Sequence, residues 1–182
     1  MMASNHLDKS SMRMALSALV VLMIVMLAWY WPAAAEPPGN LEVESLIIET
    51  GREAHRLEVE MARTTAQRQF GLMDRDHLDP EAGMLFVYDR LQPAGSGFWM
   101  YRTRIPLDIA FIDSQGRIAA VHTMQPCRSD NPADCPATLA GASYLAALEV
   151  NAGYFTERGI GVGDCVDWPG RPAGCVTTRS VE

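Results

Sequence analysis

The sequence predicts a mainly β protein, either a β-sandwich or a barrel, with two short helices. Apolar and polar residues alternate with a period of two over several short segments, and residues typical of turns separate these segments. Only two stretches carry helix signals. With 182 residues, 48% of them hydrophobic and 20% charged, the chain has room for one hydrophobic core and little more.

The N-terminal residues 1–35 have the order of a secretory signal. Lys9 and Arg13 precede an apolar run over residues 14–31, and small residues end at Ala35, where we expect cleavage. The alternative is an uncleaved membrane anchor over residues 14–31, because that run comes close to spanning a bilayer. In both cases the rest of the chain is exported, to the periplasm or the medium.

A leader, a hairpin and a helix are predicted next. Residues 36–54 contain the leader and a first strand, and residues 57–61 continue the same alternation, which is typical of a hairpin with one wet face. Thr64 is followed three residues later by Gln67, a capping-box pattern, so we expect helical turns over residues 65–70.

Further strands follow, separated by turns. The strand candidates are short apolar or alternating segments: residues 83–88, 98–103, 105–112, 118–122 and 145–150. Asp113 to Gly116 has the composition of a hairpin turn, with glycine where a positive φ is needed. A second short helix is expected over residues 152–158, ending at Gly159.

The four cysteines are expected to form structural disulfides. Cys127, Cys135, Cys165 and Cys175 lack the C-x2-C spacing of zinc sites, and an exported chain meets an oxidising compartment. Pairing of Cys127 with Cys135 and of Cys165 with Cys175 is the simplest arrangement, although the spacing leaves three connectivities open. Neither pair has the C-x-x-C spacing of a redox catalyst.

Several blocks of sequence resemble one known family. They are RQFGLMDRDHL (68–78), GMLFVY (83–88), FWMYRTRIPLDIAFIDSQGRI (98–118), Pro126-Cys127, ALEVNAG (147–153) and GIGVGD (159–164). In order and spacing they resemble the DUF192 family, also called UPF0127, over a β domain of about residues 55–168, which leaves residues 169–182 as a C-terminal tail. The resemblance implies a jelly-roll-like β-sandwich with small helical additions and, because the family's function is unknown, no reaction. Family members usually have Lys-Asn where this chain has Tyr101 and Arg102.

Asp108 and Glu149 are the candidate catalytic residues. Each carboxylate lies within an apolar strand candidate, and burial without a partner is costly and raises a carboxyl pKa. Facing each other, they could supply the acid and base of a hydrolase or lyase acting on an envelope polymer. Alternatively, each pairs with an arginine or accepts backbone N–H bonds.

The candidate ligand-binding residues are Trp99, Tyr101, Arg102 and Arg104. On an extended strand, Trp99 and Tyr101 share one face and could form a platform for a sugar ring or an anion. The alternative is that Trp99 fills the core and only Tyr101 is exposed.

Metal and cofactor sites are not favoured. His122 and Met124 could bind Cu(I) as soft ligands, but methionine more often fills gaps in cores, and we expect no cofactor.

The favoured function is therefore a non-catalytic binding or accessory module of the cell envelope. Its expected partner is a small molecule, a glycan or an envelope protein, with membrane contact only through residues 14–31 if these are not cleaved. The formal net charge of −7 argues against nucleic acid as a partner. The alternatives are the polymer-cleaving enzyme and the copper-binding protein.

Overall fold

The computed structural model describes residues 39–171 and Cys175. The predicted export segment lies outside these residues, as does most of the C-terminal tail. Within the described part, no helix is both long and apolar enough to cross a membrane.

The described residues form nine strands, two α-helices and a single 3-10 turn. The strands are β1 Val43–Glu49, β2 Ala54–Ala62, β3 Ala82–Gln92, β4 Gly97–Trp99, β5 Leu107–Ile112, β6 Ile118–Met124, β7 Ala137–Leu139, β8 Tyr144–Asn151 and β9 Cys165–Asp167. The helices are α1 Thr65–Phe70 and α2 Tyr154–Glu157, and the 3-10 turn is Pro132–Asp134. The mainly β class and the two short helices are confirmed.

Seven strands form one curled sheet, in the order β6-β5-β8-β3-β2-β1-β9. Only β2 and β3 run parallel, and α1 lies in the crossover between them. The sheet curls because its two edges meet: Arg117 forms a bridge with Cys165, and the Ile118 N–H donates to the Asp164 carbonyl oxygen at 2.9 Å. The remaining strands, β4 and β7, form a separate antiparallel pair. The jelly-roll detail stays a prediction.

The two faces of the curled sheet carry two different cores. Alternate residues of a strand point to opposite faces, so the inward face collects the side chains of one core, including Leu46, Leu57 and Leu148. The outward face carries a second core, including Phe86 and Phe111. We call this second core, together with α1 and the β4–β7 pair that lie over it, the outer layer.

A capping box and an aromatic contact stabilise two parts of the outer layer, α1 and β4. The Thr64 hydroxyl accepts from the Gln67 N–H at 3.2 Å, and the Gln67 side chain accepts from the Thr64 N–H at 2.8 Å, which confirms the capping box. Phe98 of β4 packs edge-on against Phe86, with ring centroids 4.9 Å apart. This aromatic contact anchors β4 to the curled sheet.

The strand predicted over residues 98–103 ends early, at Trp99. Arg102 has a φ of 57°, in the left-handed region, and the Thr103 N–H donates to the Met100 carbonyl oxygen at 3.1 Å. This turn stops the extended conformation, so residues 99 and 103 do not lie on one strand.

Both disulfides have the simplest of the expected pairings. Cys127 bonds to Cys135, and Cys165 bonds to Cys175. The second helix is shorter than the predicted 152–158, because Tyr154–Glu157 makes a single turn before Gly159 adopts a φ of 64°.

Candidate functional site

The two candidate catalytic carboxylates lie on opposite faces of the curled sheet. Between β5 and β8, Asp108 is opposite Val150 and Ile109 is opposite Glu149. Directly opposed residues share a face and successive residues alternate. Asp108 therefore points to the inner core and Glu149 to the outer layer, so the structure does not bring the pair together for acid–base catalysis.

Asp108 holds the backbone in place. Its carboxylate accepts a hydrogen bond from the Thr123 hydroxyl at 2.7 Å and another from the Gly153 N–H at 2.9 Å. The first bond ties β5 to β6, and the second fixes the turn that leads into α2. This is the alternative in which the carboxylate accepts backbone N–H bonds, and it gives Asp108 a structural role.

Glu149 is buried without a partner. The residue is 4% exposed, and no described residue donates a hydrogen bond to its carboxyl group. Its cross-strand neighbours, Met84 on β3 and Ile109 on β5, are apolar. Burial raises the pKa of Glu149 from 4.5 to about 8, so the carboxyl is mostly protonated at pH 7.

A small pocket reaches Glu149 from the outer layer. This inner pocket has a volume of about 30 Å³, and its walls include Leu72, Phe86, Phe98, Trp99 and Thr103. Thr103 is 5% exposed, and its hydroxyl makes no hydrogen bond to a described residue. Two buried polar side chains, a carboxyl and a hydroxyl, thus line one pocket with unused hydrogen-bonding capacity.

The inner pocket lies beside a larger surface groove. This outer groove has a volume of about 610 Å³ and is lined by residues that include Tyr88 and Arg90. Both cavities have Arg68, Gln69 and Trp99 in their walls and are therefore adjacent; the two together are called here the Trp99 groove.

Trp99 is 44% exposed and forms part of the groove wall. Its ring is therefore not enclosed in a core, and its use as a platform for a ligand stays a prediction.

Arg68 positions the wall formed by α1. Its Nη1 donates to the carbonyl oxygens of Arg63 at 2.5 Å and Val87 at 2.8 Å, and its guanidinium lies 4.8 Å from the centre of the Tyr88 ring. Burial raises the pKa of Tyr88, so this phenol is neutral at physiological pH. Arg68 has no carboxylate partner among the described residues and brings a positive charge to the groove.

The other predicted ligand-binding residues lie around a different cleft. Tyr101, Arg102 and Arg104 line a cavity of about 580 Å³ beside Asp74 and Arg128. The two sites are adjacent, because Thr103 lines both of them and the rings of Trp99 and Tyr101 are in contact, with centroids 5.4 Å apart.

The two predicted arginines are already paired. Arg102 forms a bidentate ion pair with Asp74, and Arg104 contacts Asp76 at 3.0 Å. These bonds with Asp76 and Asp74 raise the pKa of Arg104 further above its ordinary value. This second cleft therefore offers little free charge from the residues that the sequence singled out.

The two residues of the copper interpretation lie on β6. His122 shares a hydrogen bond of 3.2 Å with the Ala140 carbonyl oxygen through Nε2, and Met124 is 2% exposed within the outer layer. Over residues 39–171 and Cys175, no group of three or more histidine, cysteine or acidic side chains is placed to hold a metal ion.

Sequence reasoning missed three residues of the site: Arg68, Tyr88 and Thr103. Tyr88 follows Met84 and Phe86 on alternate positions of β3, and Met84 is paired with Glu149. The sequence shows that Met84, Phe86 and Tyr88 alternate along one strand. It does not show that this strand pairs with β8, which carries Glu149.

Comparisons with known proteins agree with this fold. A model of the DUF192 family, described as "Uncharacterized ACR", matches residues 46–168. No functionally curated protein matches the chain.

Two solved structures are similar to the chain. A candidate transcription regulator from Sinorhizobium meliloti 1021 is 31% identical with a TM-score of 0.63, and the match covers 72% of this chain and 97% of that chain. A protein of unknown function from Novosphingobium aromaticivorans DSM 12444 is 32% identical with a TM-score of 0.62, over 74% of this chain and 91% of that chain. With the family match over most of the described residues, these likenesses show that the chain belongs to the DUF192 family.

Proposed function

We propose that the protein is an exported, non-catalytic binding module that holds a small polar ligand in the Trp99 groove. The observation that carries this proposal is the buried Glu149 carboxyl, which has no hydrogen-bond partner among the described residues and lines a pocket whose wall includes an exposed tryptophan. Buried polar groups in native proteins are nearly always hydrogen-bonded. A ligand group that reaches Glu149 would supply the missing bond.

The shape and lining of the groove suit a small molecule. Ligand sites are concave, largely apolar and equipped with a few polar groups that fix orientation. Here Trp99, Phe98 and Tyr88 supply aromatic surface, while Glu149 and Gln69 supply hydrogen-bonding groups. A glycan fragment or another small molecule of the envelope fits this description better than a large protein surface, because the polar groups lie inside a cleft.

Binding is a better account of the site than polymer cleavage. A glycosidase-like mechanism needs two carboxyl groups that face the scissile bond, and Asp108 lies on the other face of the sheet with both oxygens engaged. Glu149 alone provides one titrating group.

Export is supported by the two disulfides. Disulfides persist in oxidising compartments and are rare in the cytosol. Together with the signal-like residues 1–35, they favour the periplasm or the medium as the place where the protein works.

A thermal-shift experiment tests the proposed function. Sugars, amino acids, amines and small anions are added to the purified, oxidised protein, because a ligand that binds the native state raises its melting temperature by mass action. We expect at least one class to give a concentration-dependent shift that disappears in Trp99→Ala. The shift should persist in Arg104→Ala, because the Arg104 side chain lines the second cleft and neither cavity of the Trp99 groove. The absence of any shift, or a shift that depends on Arg104 and not on Trp99, would contradict the proposal.

A further inference from the structure

The inner pocket presents hydrogen-bond acceptors to a ligand. Glu149 and Thr103 are at least nine-tenths buried, line the same pocket of about 30 Å³, and have no hydrogen-bond donor among the described residues. An ionised carboxyl group only accepts, and a hydroxyl group both accepts and donates. A ligand that brings N–H donors would fill the open acceptor positions of both groups, and a positively charged donor would balance the carboxylate as well.

Aromatic side chains in the walls of the inner pocket favour a cation. Phe86, Phe98 and Trp99 line it, and the faces of aromatic rings attract cations. The volume of about 30 Å³ leaves room for a small polar group such as an ammonium.

The mouth of the groove has the opposite preference. Arg90 lines the outer groove, Arg68 lies on the wall that this groove shares with the inner pocket, and neither has a carboxylate partner among the described residues. The exposed Asp89 offsets one of these two charges. A ligand with a second positive end would be repelled here, and one with a carboxylate would be attracted.

We propose that the inner pocket binds the primary ammonium group of a small amino acid-like molecule, whose carboxylate lies near Arg68 and Arg90. Glu149 and Thr103 accept hydrogen bonds from the ammonium, and Trp99 packs against the chain between the two charged ends. This inference rests on the proposed binding function and names the ligand class of the same site.

Proton release should accompany binding of such a ligand. Burial raises the pKa of Glu149 to about 8, so at pH 7 about nine-tenths of the molecules carry a proton on this group. An ammonium beside it favours the carboxylate, and the proton then passes to the buffer. The other titratable or charged side chains of the outer layer are Arg68, which also lines the pocket, Tyr88 and Tyr144, whose pKa values burial raises, and His122, which does not line the pocket.

Titration calorimetry with matched ligands tests the inference. The full, oxidised protein is titrated with ω-amino acids of three to six carbons, with the corresponding hydroxy acids, and with diamines of the same lengths. We expect at least one amino acid to bind about tenfold or more tightly than both its hydroxy acid and its diamine, because a charge-assisted hydrogen bond is lost or a repulsion is added. Measured in two buffers of different ionisation enthalpy at pH 7, this ligand should release close to one proton.

Variants connect the preference to the pocket. Glu149→Gln keeps the size of the side chain and removes its charge, so it should abolish both the preference for the amine and the proton release. Thr103→Val should weaken binding severalfold. Glu58→Gln, the same substitution at an exposed position on β2, is the matched control and should change nothing.

The outcomes separate the two proposals. Hydroxy acids or sugars that bind as tightly as amines, and need Trp99, would overturn the ammonium inference and leave the binding function standing. Amine binding that survives Glu149→Gln, or that releases no proton, would also overturn the inference. If no ligand of any class binds in a manner that needs Trp99, the proposed function itself is wrong.

Discussion

Replacing Glu149 by glutamine should change how the stability of the protein depends on pH. The carboxyl group has a pKa raised by burial to about 8 in the folded protein, against an ordinary value of 4.5. Between these two values the folded state holds a proton that the unfolded state has released. The contribution of Glu149 to stability is therefore most favourable below pH 4.5, falls as the pH rises, and levels off above pH 8.

The size of the effect follows from the shift. Each unit of pKa difference corresponds to about 1.4 kcal/mol, so this one group lowers the free energy of unfolding by about 3 kcal/mol at pH 7. Above pH 8 the loss reaches about 5 kcal/mol for a shift from 4.5 to about 8. Glutamine fills a similar volume and does not titrate. Glu149→Gln should thus match the wild type near pH 4.5 and exceed its stability by several kcal/mol at pH 8.

Urea unfolding of the oxidised protein, repeated at each pH from 5 to 9, measures this difference. Subtracting the wild-type from the variant free energy removes contributions that other groups make to both proteins. The difference should rise by about 1.4 kcal/mol for each pH unit up to pH 8. Parallel curves for the two proteins over this range would show that Glu149 ionises normally and that the pocket around it is wet.

Three other substitutions test the scaffold, each by its urea midpoint. Gly83→Ala should lower stability by about 1–3 kcal/mol, since its Cβ would lie 2.7 Å from a carbonyl oxygen of the neighbouring strand; an unchanged midpoint would mean that β3 and β8 are not so close. Asp108→Ala should cost about 1–3 kcal/mol, because two donors lose their acceptor, and no loss would refute its structural role. Thr64→Ala should cost about 1 kcal/mol by removing the capping hydroxyl of α1, a loss that Thr65→Ala should not reproduce.

Features determined by neighbouring residues could be predicted from the sequence. The capping box of Thr64 and Gln67 involves four consecutive residues, and the turn at Gly116 depends on its own φ of 80°. The disulfides close short loops, so their pairing needed little knowledge of the fold. Each of these signals is complete within about ten residues of chain.

The placement of the carboxylates could not be predicted in the same way. Asp108 and Glu149 each showed an apolar environment, but which face each occupies relative to the other depends on the register between β5 and β8. A one-residue shift in this register would place the two carboxylates on the same face of the sheet. Trp99 had the same difficulty, because its exposure depends on the turn at Arg102, where a left-handed conformation is not marked by glycine or asparagine.

The separation of the outer layer from the inner core has a consequence for motion. β4 and β7 are joined by a ladder of only three residue pairs, whereas β8 is paired along its length with both β3 and β5. Local opening of a protein follows the weakest cooperative unit. We therefore expect β4 and β7 to open locally more often than the curled sheet does. Such openings would let a solute reach the buried carboxyl of Glu149 without global unfolding.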